Sequence, residues 1–383
     1  MAKLKYALIG CGKVSIKHLK AALYHSGNKG DIEISALVDS RPEAPAQLMN
    51  ECRMKTSAQA AVRIYHDYAE MLAKENPDIA AITTPSGSHA AIGLAAINSG
   101  CHILLEKPLT LSLADSDLLL EAAKKQNVQI AVGHIYRFFP LVQALQADLA
   151  AGLFGRILYG DVKVRWGHDQ AYYDQSAWRG TWTHDGGALM NQSIHALDLM
   201  IWLLGAQVIS AAGRIDRQVH RMEAEDIGFA TLQLENGIWC QLEGTTNTDP
   251  SRQEASFFIR CSEGEIRGGI KAGRPHMEIL DKNGKKITGR YIRNFLQAQL
   301  KQGKLAGLKQ LGNPHSGLYT DWIDAVTNSR EPLASGAGGR LAVEMVLAIY
   351  KSALHGRIVD LPLVDFDLEM MQNYFPDNQV FSS

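Results

Sequence analysis

Cysteine is scarce and scattered: Cys11, Cys52, Cys101, Cys240 and Cys261 form an odd set of five with no C-x-x-C pair. That excludes a disulfide-stapled scaffold and a zinc knot, and a reduced, cytoplasmic compartment is the expectation. An excess of charge of one sign is lacking too. Thirty-nine Lys and Arg stand against 40 Asp and Glu, a formal net charge of −1. No electrostatic footprint remains for nucleic acid or an anionic membrane. Long hydrophobic runs are missing as well. The uncharged stretch Ile79 to Leu105 is broken by Thr83, Thr84, Pro85, Ser86, His89, Asn98 and Gly100. It therefore reads as strand, turn and helix, not as a membrane span. Met1 to Gly10 has neither the apolar core nor the small-residue cleavage site of a secretory signal. Internal repeats and low-complexity linkers are absent.

What is present is an ordinary globular balance, 46% hydrophobic and 21% charged over 383 residues, enough chain for two domains. Short apolar runs at Lys5–Gly10, Glu33–Asp39, Asp78–Thr83, Cys101–Glu106 and Val128–His134 read as buried strands. Helical patterns lie between them, among them Ser86–Asn98 and Ser112–Gln126. Ser112, with Asp115 three residues on, suits a helix N-terminus. Alternating β and α at this spacing predicts crossovers and a doubly wound parallel sheet over residues 1–135. Beyond about residue 150 the pattern changes. Ile157–Trp166 reads as a strand and Gly187–Leu204 as one helix. Period-2 runs follow, with hairpin turns at Glu235-Asn236-Gly237, Ser262-Glu263-Gly264 and Lys282-Asn283-Gly284. Residues 136–383 are accordingly read as an α+β domain with a large, mostly antiparallel open sheet. Helices at Ser316–Thr327 and Gly339–His355 are expected to pack back on the first domain.

The strand at Ala7-Leu8-Ile9 runs into Gly10-Cys11-Gly12-Lys13-Val14-Ser15 and then a helix. The first glycine makes the turn, and the second lets backbone approach a pyrophosphate at the helix N-terminus. Ser15 replaces the third glycine of the usual fingerprint, a small residue that still allows close helix–strand packing. A bare G-x-G is a weak signal; its place after the first strand of an α/β pattern makes it a dinucleotide site. Asp39, ending the second strand, can accept bonds from ribose hydroxyls and repels a 2′-phosphate, which favours NAD over NADP. Arg41 blurs that preference, since an arginine can serve a phosphate.

With Glu106-Lys107-Pro108 the sequence resembles the Gfo/Idh/MocA family of sugar oxidoreductases, and the resemblance spans essentially the whole chain. The resemblance rests on the glycine turn, Thr84-Pro85-Ser86 with His89, the Glu-Lys-Pro triplet, and Gly186-Gly187-Ala188-Leu189 leading to His195 and Asp198. It implies a Rossmann domain whose cofactor contacts come from Gly10, Gly12, Lys13, Val14, Asp39, Arg41, Thr84, Pro85, Ser86, His89, Glu106 and Lys107. It also implies that Lys107 and His195 serve the substrate hydroxyl. One departure is Asn191, where many members carry aspartate four residues before the histidine. Together with Tyr172-Tyr173-Asp174, Trp178-Arg179-Gly180-Thr181-Trp182 and Gly312-Asn313-Pro314-His315, it is similar to a narrower branch. That branch holds the NAD-dependent 3-dehydrogenases of UDP-N-acetylglucosaminuronic acid, which feed bacterial surface-polysaccharide (O-antigen) synthesis. The resemblance implies a nucleotide-sugar substrate, a homotetramer, and in some members recycling of NADH with 2-oxoglutarate.

The residue chemistry agrees. Lys107 stands at the carboxyl end of a parallel strand, where open α/β sheets place ligands. Its cation can stabilise developing alkoxide character. His195, with an ordinary pKa near ~6.5, can take the proton, as can a lysine whose pKa burial has lowered. The sequence leaves the base undecided between these two. Arg179 and Thr181 suit a carboxylate or diphosphate, with a structural ion pair the alternative for Arg179. Asn191 and Gln192 suit the sugar hydroxyls. Tyr172, Tyr173, Trp178 and Trp182 read as packing, and Lys282, Lys285, Lys286, Arg290 and Arg293 as a solvated face. His195 and Asp198 share a helix face without a third ligand, so no metal is expected. The remaining alternatives are a dehydrogenase of another sugar or inositol, and a non-catalytic NAD-binding regulator.

Overall fold

The structure, a computed structural model, describes residues 3–301 and 314–376, with side chains for 3–297 and 314–376. The chain divides into two compact units, Met1–Phe138 with Gln310–Arg340, and Phe139–Lys309 with Leu341–Ser383.

Six strands form the sheet of the first unit: β1 (Leu4–Ile9), β2 (Ile32–Val38), β3 (Arg63–Tyr65), β4 (Ile79–Ile82), β5 (His102–Leu105) and β6 (Ile130–Val132). They lie in the order β3-β2-β1-β4-β5-β6, and every pairing is parallel. Parallel strands buried on both faces read as unbroken apolar runs. Residues 6–9 and 79–82 are such runs, each residue at most 2% exposed. The strand order reverses between β1 and β4, which opens a crevice at the carboxyl ends of the strands. Edge strand β3 was not expected, and its three residues explain why: Arg63 and Ile64 are exposed, so no apolar run marks it.

Local signals placed the helices well. Ser112 Oγ accepts from Asp115 N at 3.1 Å and caps the helix Leu113–Gln126. The expected Ser86–Asn98 helix resolves into a 3₁₀ turn, Ser86–Ser88, and an α-helix, His89–Asn98. Pro314–Thr327 packs on the Ser15–Tyr24 helix, and Leu318, Tyr319 and Trp322 share a core cluster with Tyr6, Leu8 and Leu19. A fully buried side chain of this size stabilises the fold by ~2–3 kcal/mol.

The second unit holds β7 (Ile157–Arg165), β8 (Val208–Asp216), β9 (Ile227–Leu234), β10 (Trp239–Thr245), β11 (Glu254–Cys261), β12 (Gly264–Lys271), β13 (Arg274–Asp281) and β14 (Val359–Asp360). Their order is β13-β12-β11-β7-β10-β9-β8-β14. The β7/β10 pair is parallel and the other pairs are antiparallel. Burial alternates residue by residue along β11, as a sheet with one covered face requires. The helix Ile194–Leu204 packs on β7 and β11.

Two expectations need correction here. Lys282-Asn283-Gly284 does turn the chain back, with Asp281 N donating to the Lys285 carbonyl at 3.0 Å, but the returning segment makes only the bridge Leu280 with Lys286 and no full strand before the helix Thr288–Lys301. Thr288 Oγ accepts from Ile279 N at 2.9 Å and thereby diverts the chain into that helix. Gly187–Leu204 is not one α-helix: Ala188–Ser193 is a π-turn that feeds the helix Ile194–Leu204. Among the described residues no helix is long and apolar enough to cross a membrane.

Candidate active site

In the first unit the site begins at the glycine turn. Gly10 has φ +95°, and a Cβ there would meet Thr83 and Thr84 backbone at 2.9 Å, so a glycine is required. Its carbonyl accepts from Thr83 Oγ1 at 2.6 Å, which joins the turn to the end of β4. Gly12 faces open space, with nothing within 4 Å of a built Cβ. Ser15, fully buried, donates to the Gly12 carbonyl at 2.5 Å and so does the packing work expected of the third glycine. Lys13 is exposed and Val14 is half-buried.

Asp39 accepts from Cys11 N at 2.7 Å and from Arg41 N at 2.9 Å. The Arg41 side chain adds contacts at 3.1 and 3.2 Å. Burial works against the charge, but these donors outweigh it and hold the carboxyl below its usual range. An ionised acid at the end of β2 and an open glycine turn at a helix N-terminus fit a dinucleotide. Arg41 is engaged with Asp39, yet its side chain stays 57% exposed. Asp39→Ala is expected to weaken NADH binding ~10-fold and to bring NADPH within ~10-fold of NADH. Fluorescence titration with both cofactors decides this, and unchanged NADH affinity would remove Asp39 from the site.

Thr84, Pro85 and Ser86 follow β4. Ser88 Oγ donates to the Pro85 carbonyl at 2.7 Å and to Thr84 Oγ1 at 2.8 Å. His89 is 1% exposed, with its ring nitrogens 2.8 Å from the Pro108 carbonyl and 3.0 Å from that of Thr84. Glu106, 8% exposed, follows β5 and accepts from Lys107 N at 3.1 Å. Its other oxygen lies 2.8 Å from His18 Nε2 and 3.8 Å from His315 Nε2. Burial alone would raise its pKa, but the two histidines hold it well below the carboxylate range. Lys107 itself is half-buried. Gly312 and Asn313 lie outside the described residues, whereas His315 is placed here, 2% exposed.

The second unit carries the residues expected to read substrate. Arg179 lies over two rings, its guanidinium carbon 4.1 Å from the Tyr172 centroid and 4.8 Å from that of Trp178. Cation–π contact of this kind holds the guanidinium against the rings. Trp182 and Tyr173 are core, as expected, at 0% and 8% exposure. Thr181 Oγ1 donates to the Trp178 carbonyl at 2.7 Å.

Asp185, 2% exposed, joins the segment at Gly180 to that at Asn191. One carboxyl oxygen accepts from Gly180 N at 2.8 Å, and the other accepts from the Asn191 amide. Asn191 Oδ1 accepts from Gln192 Nε2 at 2.9 Å, and that nitrogen lies 3.2 Å from His168 Nε2. The His168 ring stacks on Tyr172 at 3.7 Å. His195 sits in the first turn of its helix, half-buried, and Asp198 is 2% exposed.

Beneath this segment lies Glu225, fully buried. Its carboxyl accepts from Leu189 N and from the Tyr350 hydroxyl, both at 2.8 Å, and Met190 N donates to that hydroxyl at 3.3 Å. Capture of these two N–H groups by side chains accompanies the π-turn, a feature found at functional sites. Burial pushes the Glu225 carboxyl up to about 8. A carboxyl protonated in the fold and ionised in the unfolded chain contributes stability below pH ~4.3, which is lost as pH rises through 8. Glu225→Gln is therefore expected to match wild type near pH 5 and to exceed it at pH 8 by on the order of 2–4 kcal/mol. Denaturant melts at the two pH values test this; a pH-independent difference contradicts it.

Sequence reasoning did not single out His18, Tyr319, Asp185, His168 or Glu225. The available signal was a polar residue where periodicity demands an apolar one, such as His18 beside Leu19, Ala21 and Ala22.

Two family models match the chain, an NAD-binding Rossmann oxidoreductase domain over residues 4–134 and the Gfo/Idh/MocA C-terminal domain over 142–267. With the doubly wound sheet and its glycine turn, they make the chain a member of the Gfo/Idh/MocA family: an NAD-dependent oxidoreductase of the sugar dehydrogenase class. It is similar to the WlbA dehydrogenase from Bordetella pertussis, solved in complex with NADH and UDP-GlcNAcA. The two share 29% identity, and the match covers 94% of this chain and 99% of the other, with a TM-score of 0.80. The WlbA dehydrogenase of Chromobacterium violaceum, solved with the same two ligands, is 28% identical over 95% of this chain and 97% of its own, with a TM-score of 0.80. A D-apiose dehydrogenase from Paraburkholderia graminis is 26% identical over 94% of this chain and 90% of its own.

Proposed function

We propose that this chain oxidises the 3-hydroxyl of a UDP-linked N-acetylglucosaminuronic acid to the ketone. The observation that carries the reading is likeness at 28–29% identity, over nearly the whole chain, to two enzymes solved with that sugar nucleotide. Asn191, a neutral amide where many family members carry an acid, and Arg179, held against two rings, support it, because an anionic sugar favours a cation and a neutral amide among its contacts.

When bound, NAD supplies the hydride acceptor for the carbon that bears the hydroxyl. Lys107 donates to the reacting oxygen and stabilises its negative charge. His195 or Lys107 takes the hydroxyl proton. Arg179 and Thr181 engage the carboxylate or diphosphate, and Asn191 and Gln192 the sugar hydroxyls. Gly12, Asp39, Thr84 and Glu106 belong to the cofactor side.

The test mixes enzyme, NAD and UDP-N-acetylglucosaminuronic acid and follows NADH absorbance. UDP-N-acetylglucosamine, myo-inositol and D-apiose serve as comparisons. Turnover of the uronate at least ~100-fold faster than of the others is expected, since unpaired polar groups reject the wrong substrate. Faster turnover of D-apiose would move the assignment to the free-sugar dehydrogenases, and silence with every sugar despite NAD binding would favour a regulator.

A further inference from the structure

The loop that bears Lys107 is held from two sides by buried histidines, and neither histidine belongs to it. On one side His18, fully buried on the helix that follows the glycine turn, lies 2.8 Å from Glu106, whose other oxygen accepts from Lys107 N. The His18 Nδ1 atom lies 3.2 Å from the Tyr319 hydroxyl, which in turn lies 2.8 Å from the Tyr6 hydroxyl. Both ring nitrogens of His18 are thus engaged in one buried chain that runs from Glu106 to Tyr6. On the other side His89 lies between the Pro108 and Thr84 carbonyls. A neutral ring bonds one of these carbonyls and an imidazolium bonds both. Both elements that approach the dinucleotide are thus wired to the residues flanking the lysine side chain.

The donor atoms of His18, Glu106 and His315 lie within 4.8 Å of one another, a set that resembles a zinc site. Both nitrogens of His18 already have hydrogen-bond partners, so the cluster is accounted for as a hydrogen-bonded brace. Gly133 leaves room for it, since a Cβ there would meet the Glu106 carboxyl at 3.1 Å.

We propose that His18 and His89 are positioning residues that couple the two cofactor-binding loops to the placement of Lys107. The proposal rests on the reading of Lys107 given above. Neither histidine touches the reacting atoms. His18 acts through Glu106, and His89 acts through the Pro108 carbonyl.

Lysine labelling tests it without needing the sugar substrate. Full-length wild type and the variants His18→Gln, His18→Ala, His89→Gln and His89→Ala are given a limiting dose of acetic anhydride, with or without saturating NADH. Acetylation of Lys107 is read by peptide mass spectrometry, and NADH affinity by fluorescence. The expected result is graded: NADH protects Lys107 ~10-fold in wild type, less in the glutamine variants, and under ~2-fold with alanine, each variant being saturated at its own NADH affinity and the His18 variants staying within ~3-fold of wild type. In turnover, kcat falls ~10–100-fold while KM for the sugar stays within ~3-fold, a split that simple loss of fold does not produce. If an alanine variant does not fold, the wild-type and glutamine comparison decides. Equal protection in wild type and variants overturns the coupling and leaves the function untouched. An unprotected Lys107 in wild type overturns the functional reading of that lysine, and the coupling with it.

Discussion

Lys107→Ala is expected to cut turnover at least ~100-fold while NADH still binds. The magnitude follows from the role proposed for the ammonium. A charged donor aimed at a developing alkoxide in a partly dehydrated site contributes ~3–4 kcal/mol to the transition state. The loop itself survives the change, because Glu106 and His89 hold the backbone of Lys107 and Pro108, not the lysine side chain. His195→Ala is expected to match it within ~10-fold, since general base catalysis is of similar size. The pH profile separates the roles. If His195 is the base, the acid limb of log kcat/KM disappears in His195→Ala; if Lys107 is, that limb persists there. Wild-type rates in both variants would end the assignment of this pair.

The parallel sheet was legible because physics writes it plainly. A strand buried on both faces is an apolar run, and the glycine turn follows from a backbone angle that Gly10 alone adopts without strain. Ser112 announced its helix through an oxygen that captures an orphan N–H. What stayed hidden depended on contacts between residues far apart in sequence. Nothing near Ala188–Ser193 says that Glu225 and Tyr350 will cap the N–H groups of Leu189 and Met190, or that a π-turn will stand there. Asn191 was noticed as a departure, but its partner Asp185 was not, because a carboxylate six residues away looks like any surface acid until it is buried. Tyr172 and Trp178 were set aside as packing, and Arg179 was left between substrate and ion pair. The two rings and the guanidinium form one stack. Arg41 kept its ambiguity for a different reason: it bonds Asp39 while remaining largely open to solvent.

Two glycines, one in each unit, are expected to fail in opposite ways. Gly187 has an ordinary backbone, φ −103°, so conformational freedom does not explain it. Space does. A Cβ there would overlap both the side-chain carboxyl and the main-chain carbonyl of Glu225. Glu225 has no room to yield, being fully buried and tied to Tyr350 and Leu189 at 2.8 Å. Ala188 N also donates to the Glu225 carbonyl at 3.0 Å, so the entry to the π-turn moves with any shift. Overpacking of this kind costs ~2–3 kcal/mol, and Gly187→Ala should melt ~5–10 °C below wild type. Turnover should collapse with it, because Asn191, Gln192 and His195 all lie downstream of the displaced turn. Gly12→Ala places its methyl in open space and should melt within ~2 °C of wild type, since an unstrained surface change is worth ~0.5 kcal/mol or less. If, as proposed, a pyrophosphate approaches the helix N-terminus through that same open space, NADH affinity should fall by ~10-fold or more. Calorimetry and NADH titration on both variants read the contrast. If Gly187→Ala melts with wild type, the Glu225 brace does not hold the segment. A Gly12→Ala chain that binds NADH normally would remove the glycine turn from the cofactor site.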